Sequence, residues 1–139
     1  MYKHILLAAD GSENAARAAK EAIKIASCRK DSMIEVAYVV DFDQSKTDVL
    51  HSGSSEAINL ERRKKIVKVE QLLKDSGVSY KVTFLHGTPG LEIVNYANEQ
   101  QVELVVIGSR GLNGLQEMVL GSVSHKVMKR VNCPALIVK

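Results

Sequence analysis

Gly108, Gly111, Gly121 and Ser122 are the residues whose types and spacing best suit a chemical task, and that task is holding an anion. Glycines at 108, 111 and 114 follow a short apolar run and leave several backbone amides uncovered. With no side chains in the way, such a segment can curl its N–H groups toward a phosphate. Ten residues after Gly111, the pair Gly121-Ser122 opens a helical pattern. There the free amides and the helix dipole favour negative charge, and the Ser122 hydroxyl adds a donor. The plainer alternative is that Gly108 and Gly111 shape a tight turn while Gly121 and Ser122 cap a helix. Asp10, in Asp10-Gly11-Ser12, is either an acceptor for a ribose hydroxyl or a nearby amide, or a solvated turn residue. Arg110 is either a phosphate partner or a solvent-facing loop arginine.

Several better-known constellations are absent from the sequence. It contains no G-x-x-x-x-G-K-[ST] loop, and its glycines follow the fourth strand-like run rather than the first, unlike a dinucleotide-binding fingerprint. It has no G-x-S-x-G elbow. The four histidines, His4, His51, His86 and His125, lack ligand spacing with cysteines or carboxylates, so no structural zinc is expected. Cys28 and Cys133 have no base partner by sequence and read as inert thiols of a reduced, cytoplasmic protein. No catalytic residue emerges, and the expectation is a binding protein rather than an enzyme.

The elements that must position these residues alternate along the chain. Short apolar runs at Ile5–Ala9, Ile34–Val40, Tyr80–Leu85, Leu104–Ile107 and Ala135–Val138 read as strands. The first, fourth and fifth are nearly continuous in apolar residues, as in strands covered on both faces. Polar interruptions place the second and third nearer a sheet edge. Between them lie four helical patterns. After Ser12, a plausible N-cap, Ala15, Ala19, Ala22, Ile23 and Ala26 make a face of small residues that permits close approach to a sheet. From about Ser55 to Ser76, Ile66, Val69, Leu72 and Leu73 repeat at helical spacing, with Gly77 as terminator. Thr88 can cap a third helix begun by Pro89, with Leu91, Val94 and Ala97 inward. A fourth follows Gly121-Ser122, with Val123, Val127 and Val131 on one stripe. Such alternation implies right-handed crossovers and a mainly parallel, doubly wound α/β sheet with helices on both faces. The polar stretch 41–54 has neither period and reads as a long loop over the carboxyl edge of the sheet.

Composition sets the outer limits. The chain has 139 residues, 45% of them hydrophobic, enough for one compact domain over 1–139 with its own core. A net charge of +3, from 19 basic and 16 acidic residues, argues against a dedicated nucleic-acid binder. The run Arg62-Arg63-Lys64-Lys65 reads as a solvated helix face. The apolar run Ile5–Ala9 is too short for a signal peptide and no stretch reaches membrane-spanning length, so no membrane association is expected.

Taken together, these residues resemble the universal stress protein family. Gly108-x2-Gly111-x9-Gly121-Ser122 is similar to the glycine signature of its ATP-binding members at every spacing. Ile5–Ser12 resembles the family's first strand and Asp-containing turn, Tyr38–Asp41 the end of its second strand, and Asn132–Ala135 its C-terminal region. The likeness spans the chain except the 41–54 loop. It implies a Rossmann-like sheet of five parallel strands in the order 3-2-1-4-5, and a homodimer, often formed through the last strand. It also implies a nucleotide site drawn from Ala8, Asp10, Val39, Ile107, Gly108, Arg110, Gly111, Gly121, Ser122, Val123 and Ser124. In that likeness Asp10 meets the ribose or adenine end and the Val39 backbone meets adenine. The loop at Gly108, Arg110 and Gly111 meets ribose and phosphates, and residues 121–124 complete the phosphate cradle. ATP, with Mg or Mn, is the implied ligand. AMP or cyclic di-AMP sensing and slow ATP hydrolysis are the alternatives. Ala8 stands where some members carry proline.

Overall fold

The computed structural model describes residues 1–10, 12–40, 55–109 and 121–139. The expected 41–54 loop, and Gly11, Arg110 and Gly111, lie outside these residues. The elements run β1 (His4–Ala9), α1 (Glu13–Ala26), β2 (Met33–Val40), α2 (Ser55–Lys65), α3 (Val67–Ser76) and β3 (Ser79–His86). They continue with α4 (Pro89–Glu99), β4 (Leu104–Gly108), α5 (Ser122–Arg130) and β5 (Ala135–Val138). The five strands form one parallel sheet in the order β3-β2-β1-β4-β5. Leu7, at its centre, sits opposite Val36 of β2 on one side and Val106 of β4 on the other.

Alternating side chains divide the core into two layers. Ile5, Leu7, Val36, Tyr38 and Val106 face α1 and α3, where Ala18, Ala19, Ala22, Val69 and Leu73 meet them. Leu6, Ala8, Ala37, Val105 and Ile107 face the opposite way, onto Ile93, Val94 and Ala97 of α4 and Val127 of α5. The alanine face of α1 lets that helix lie so close that a Cβ added to Gly108 would come 2.5 Å from the Asn14 carbonyl oxygen. Real Cβ atoms do not sustain such a contact, so Gly108 is required for packing as well as for any ligand.

Five local expectations are corrected. The single helix over 55–76 is two helices, broken at Ile66, whose backbone leaves the helical region (φ −113°, ψ 14°). Ile66 is fully buried, and burying it in the α1 layer outweighs helical continuity. Leu91 points outward while Ile93 takes the inward place, with Gly90 buried so closely against Lys126 that an added Cβ would come 2.8 Å from its Cδ. Thr88 occupies the N-cap position of that helix, yet its side chain makes no capping bond. β3 is the edge strand its polar interruptions suggested, whereas β2 is paired on both sides and its polar residue, Glu35, is completely buried. The apolar β5, by contrast, is an edge strand and only half-buried at every position.

The buried Glu35 is satisfied from four directions. Its Oε1 accepts from His4 Nε2 at 2.7 Å, its Oε2 from Thr83 Oγ1 at 2.5 Å and from the Tyr96 hydroxyl, and Lys81 Nζ stands 3.8 Å away. Burial pushes the carboxyl up, but the bonds from Thr83, Tyr96 and His4, with the Lys81 charge, outweigh it and hold Glu35 below the usual glutamate value.

Candidate functional site

At the carboxyl edge of the sheet, the ends of the first and fourth strands lie beside the starts of α1 and α5. At the first, Asp10 Oδ1 accepts both the Ser12 amide (3.0 Å) and the Ser12 hydroxyl (2.5 Å). Ser12 Oγ in turn accepts from the Ala15 amide, so the expected N-cap of α1 is present. At the fourth, β4 ends at Gly108, and the buried Ser109 donates its amide to Val138 O at 2.8 Å, fixing the exit of the chain against β5. α5 starts beside it with Gly121 at the N-cap, which has no side chain to satisfy the first amides. Its first intrahelical bond runs from the His125 amide to Gly121 O at 2.9 Å, which leaves the Ser122, Val123 and Ser124 amides ahead of it.

These strand ends and helix starts line a cavity of about 190 Å³. Ala8, Asp10, Val39, Ile107, Gly108, Gly121, Ser122, Val123 and Ser124 all line it, so the candidate residues that the structure describes are brought together at the point where strand order reverses. Arg110 and Gly111 fall outside the described residues. Asn14 of α1 and Pro89 and Ile93 of α4 also line the cavity, and sequence reasoning missed them. Nothing local marks them; the parallel topology carries the first turns of α1 and α4 over this end of the sheet.

The cavity divides by chemistry. Val39, Ile93 and Ile107 give it an apolar wall suited to a flat ring, while Asp10, Ser12, Ser122 and the α5 amides give a polar rim. None of the described lining residues is basic. Among the described residues, the groups that attract an anion are the first turns of α1, α4 and α5, whose positive dipole ends meet here. Ser124 is placed differently from Ser122. It is buried, and its hydroxyl donates to Gly108 O at 3.0 Å, which fastens the start of α5 to the end of β4. Ser122 is exposed toward the rim.

Comparison with known proteins identifies the family and the fold. The model of the universal stress protein family matches residues 1–139. A universal stress protein of Methanocaldococcus jannaschii, MJ0531, is 36% identical over 143 residues, covering all of this chain and 83% of that protein. The solved structure of MJ0577, from the same organism, superposes with a TM-score of 0.79 at 30% identity, covering 100% of this chain and 96% of that one. A universal stress protein crystallised in complex with cAMP superposes with a TM-score of 0.76 at 26% identity, over 99% and 97% of the two chains. The chain belongs to the universal stress protein family, and its five-stranded sheet is that family's fold. Among the described residues no helix is long and apolar enough to cross a membrane.

Proposed function

We propose that this universal stress protein binds ATP in the cavity at the carboxyl ends of β1 and β4 and acts as a nucleotide-dependent regulator or adaptor of the cytoplasm. The observation that carries the reading is the juxtaposition of an apolar slot (Val39, Ile93, Ile107) with the uncapped start of α5 at Gly121 and the carboxylate of Asp10. An adenine ring, a phosphate chain and a ribose hydroxyl match those three features in turn. Mg or Mn would ride on the phosphates, as divalent ions commonly do, with Asp10 the one carboxylate among the described lining residues. Among the described residues no group of three His, Cys, Asp or Glu side chains is placed to hold an ion by itself.

Binding without turnover is the form of the proposal. Hydrolysis requires a positioned water and a base, and the proposal gives Asp10, the one carboxylate among the described lining residues, to the ribose hydroxyl. The half-buried, apolar edge strand β5 supports a homodimer formed through it. A second reading, of AMP or cyclic di-AMP as the ligand, draws support from the relative crystallised with cAMP, because a cradle of amides does not count phosphates. The test is Gly121→Val. A side chain there enters the phosphate path, so calorimetry should show ATP affinity reduced more than about tenfold with circular dichroism unchanged. Unchanged affinity in that variant would remove the cradle from the mechanism.

A further inference from the structure

The Glu35 cluster lies at the amino end of the sheet, away from the cavity, yet it is built on the same two elements that wall the cavity. Glu35 and Val39 stand on one face of β2, four residues and about 13 Å apart along the strand. Tyr96 and Ile93 lie one turn apart on the sheet-facing side of α4, and Pro89 two turns from Tyr96, about 10 Å along the helix. The Tyr96 hydroxyl donates to Glu35 Oε2, so one side-chain bond crosses between the strand that presents Val39 and the helix that presents Ile93 and Pro89. Thr83 and His4 hold the same carboxylate from β3 and β1, which keeps it from turning.

The layer between is thin. Ala37 on β2 and Ala97 on α4 are small, and so is Ala8 on β1. Small side chains let α4 lie close over the sheet between the cluster and the cavity, so a change at one end of the helix is carried to the other through a thin layer. A directional bond from a fully buried carboxylate sets the position of α4 closely. At the cavity end of this helix Thr88 makes no side-chain cap and the chain is tied to β2 by the Gly87 amide, which donates to Val40 O at 3.0 Å, so the Tyr96 bond is the side-chain tie between the same two elements at the other end.

We propose that Glu35 and Tyr96 form a positioning pair for the nucleotide site, a bond at one end of α4 that sets the distance between Ile93 and Val39 at the other. Neither residue touches the ligand; they act by fixing the width of the apolar slot. The inference rests on the nucleotide-binding reading above.

The molecule supplies its own control. On the opposite face of the sheet, Tyr80 OH donates to Glu70 Oε2 at 3.0 Å, the same chemistry in the α1/α3 layer with no connection to α4. The experiment compares Tyr96→Phe, Tyr80→Phe, Glu35→Gln and the double variant Glu35→Gln/Tyr96→Phe by ATP calorimetry, together with the 13C-methyl signals of Ile93 in the nucleotide-free proteins. Tyr96→Phe is expected to weaken ATP by about fivefold and to shift the Ile93 signal. Tyr80→Phe should leave both unchanged, and the double variant should bind no worse than the weaker single one, because the two residues act through one bond. Unaltered affinity in Tyr96→Phe, or equal loss in Tyr80→Phe, would overturn the proposal. If the unmodified protein binds no ATP, the nucleotide reading fails by itself. The Ile93 signal then still decides whether Tyr96 positions α4.

Discussion

The two ends of this sheet use polar groups in opposite ways. At the amino end, Glu35 is buried and bonded by His4, Thr83 and Tyr96, with Lys81 beside it, so its oxygens have protein partners. At the carboxyl end, α5 starts with a glycine that caps nothing, and Asp10 and Ser122 face a cavity. A fold gains nothing in stability from the second arrangement, since uncapped amides cost free energy unless water or a ligand meets them. The difference teaches where to look for function: polar groups closed on one another hold the structure, and polar groups left facing a concavity wait for something else.

Replacing Gly108 by valine should break the comparison most severely, because it damages stability at the functional end. The first added atom already meets Asn14 O at 2.5 Å, and backbone on both sides cannot yield cheaply. We expect a loss of about 3 kcal/mol or more, read by urea denaturation. An intact transition midpoint would mean that α1 lies further from β4 than described.

Glu35→Ala should be nearly as costly, at about 2–3 kcal/mol, since it strips a shared acceptor from three donors. The acid limb of stability sharpens the point. Glu35 titrates below the ordinary glutamate value, as does Glu70, which burial pushes up but which Arg63 and Tyr80 pull down. A carboxyl depressed in the folded state binds fewer protons than in the unfolded chain. Its contribution is therefore fully present above the unfolded value and lost as pH falls through the folded one. Glu35→Gln should flatten that fall in denaturation curves taken from neutral to acid pH. An acid limb as steep as that of the unmodified protein would show the cluster to be electrostatically silent.

The smallest expected effect supplies a baseline. Gly77 ends α3 with φ +76°, and an added Cβ would meet nothing within 4 Å. Gly77→Ala should cost only backbone strain, about 1 kcal/mol in thermal or chemical denaturation, with nucleotide affinity untouched.

The same contrast explains what could be read without the structure. The continuous apolar runs of β1 and β4 and the alanine face of α1 depend on local composition, and each predicted its place in the fold. Gly121-Ser122 also signalled its role locally, because a helix start without a capping side chain is visible as residue types. Asp10 joined it only through topology, when parallel order put β1 next to β4. Glu35 was legible merely as a polar interruption, since its partners come from β1, β3 and α4, from 31 residues away along the chain for His4 to 61 for Tyr96. Ile93 was hidden for a related reason: which side of α4 faces inward depends on its packing against the sheet and, at Gly90, against Lys126 of α5. Ile66 shows the limit of periodicity, which carried a helix straight through a residue that the core required elsewhere.

The central claim is that the cavity holds an adenine nucleotide. Its most direct test is calorimetric titration of the purified protein, first cleared of any bound small molecule, with ATP, AMP and cyclic di-AMP in turn. Saturable binding of ATP, tighter than that of AMP and lost in Gly121→Val, is the expected result. No binding of any of the three would contradict it, and would reduce the glycines at 108 and 121 to the packing and capping of the sheet.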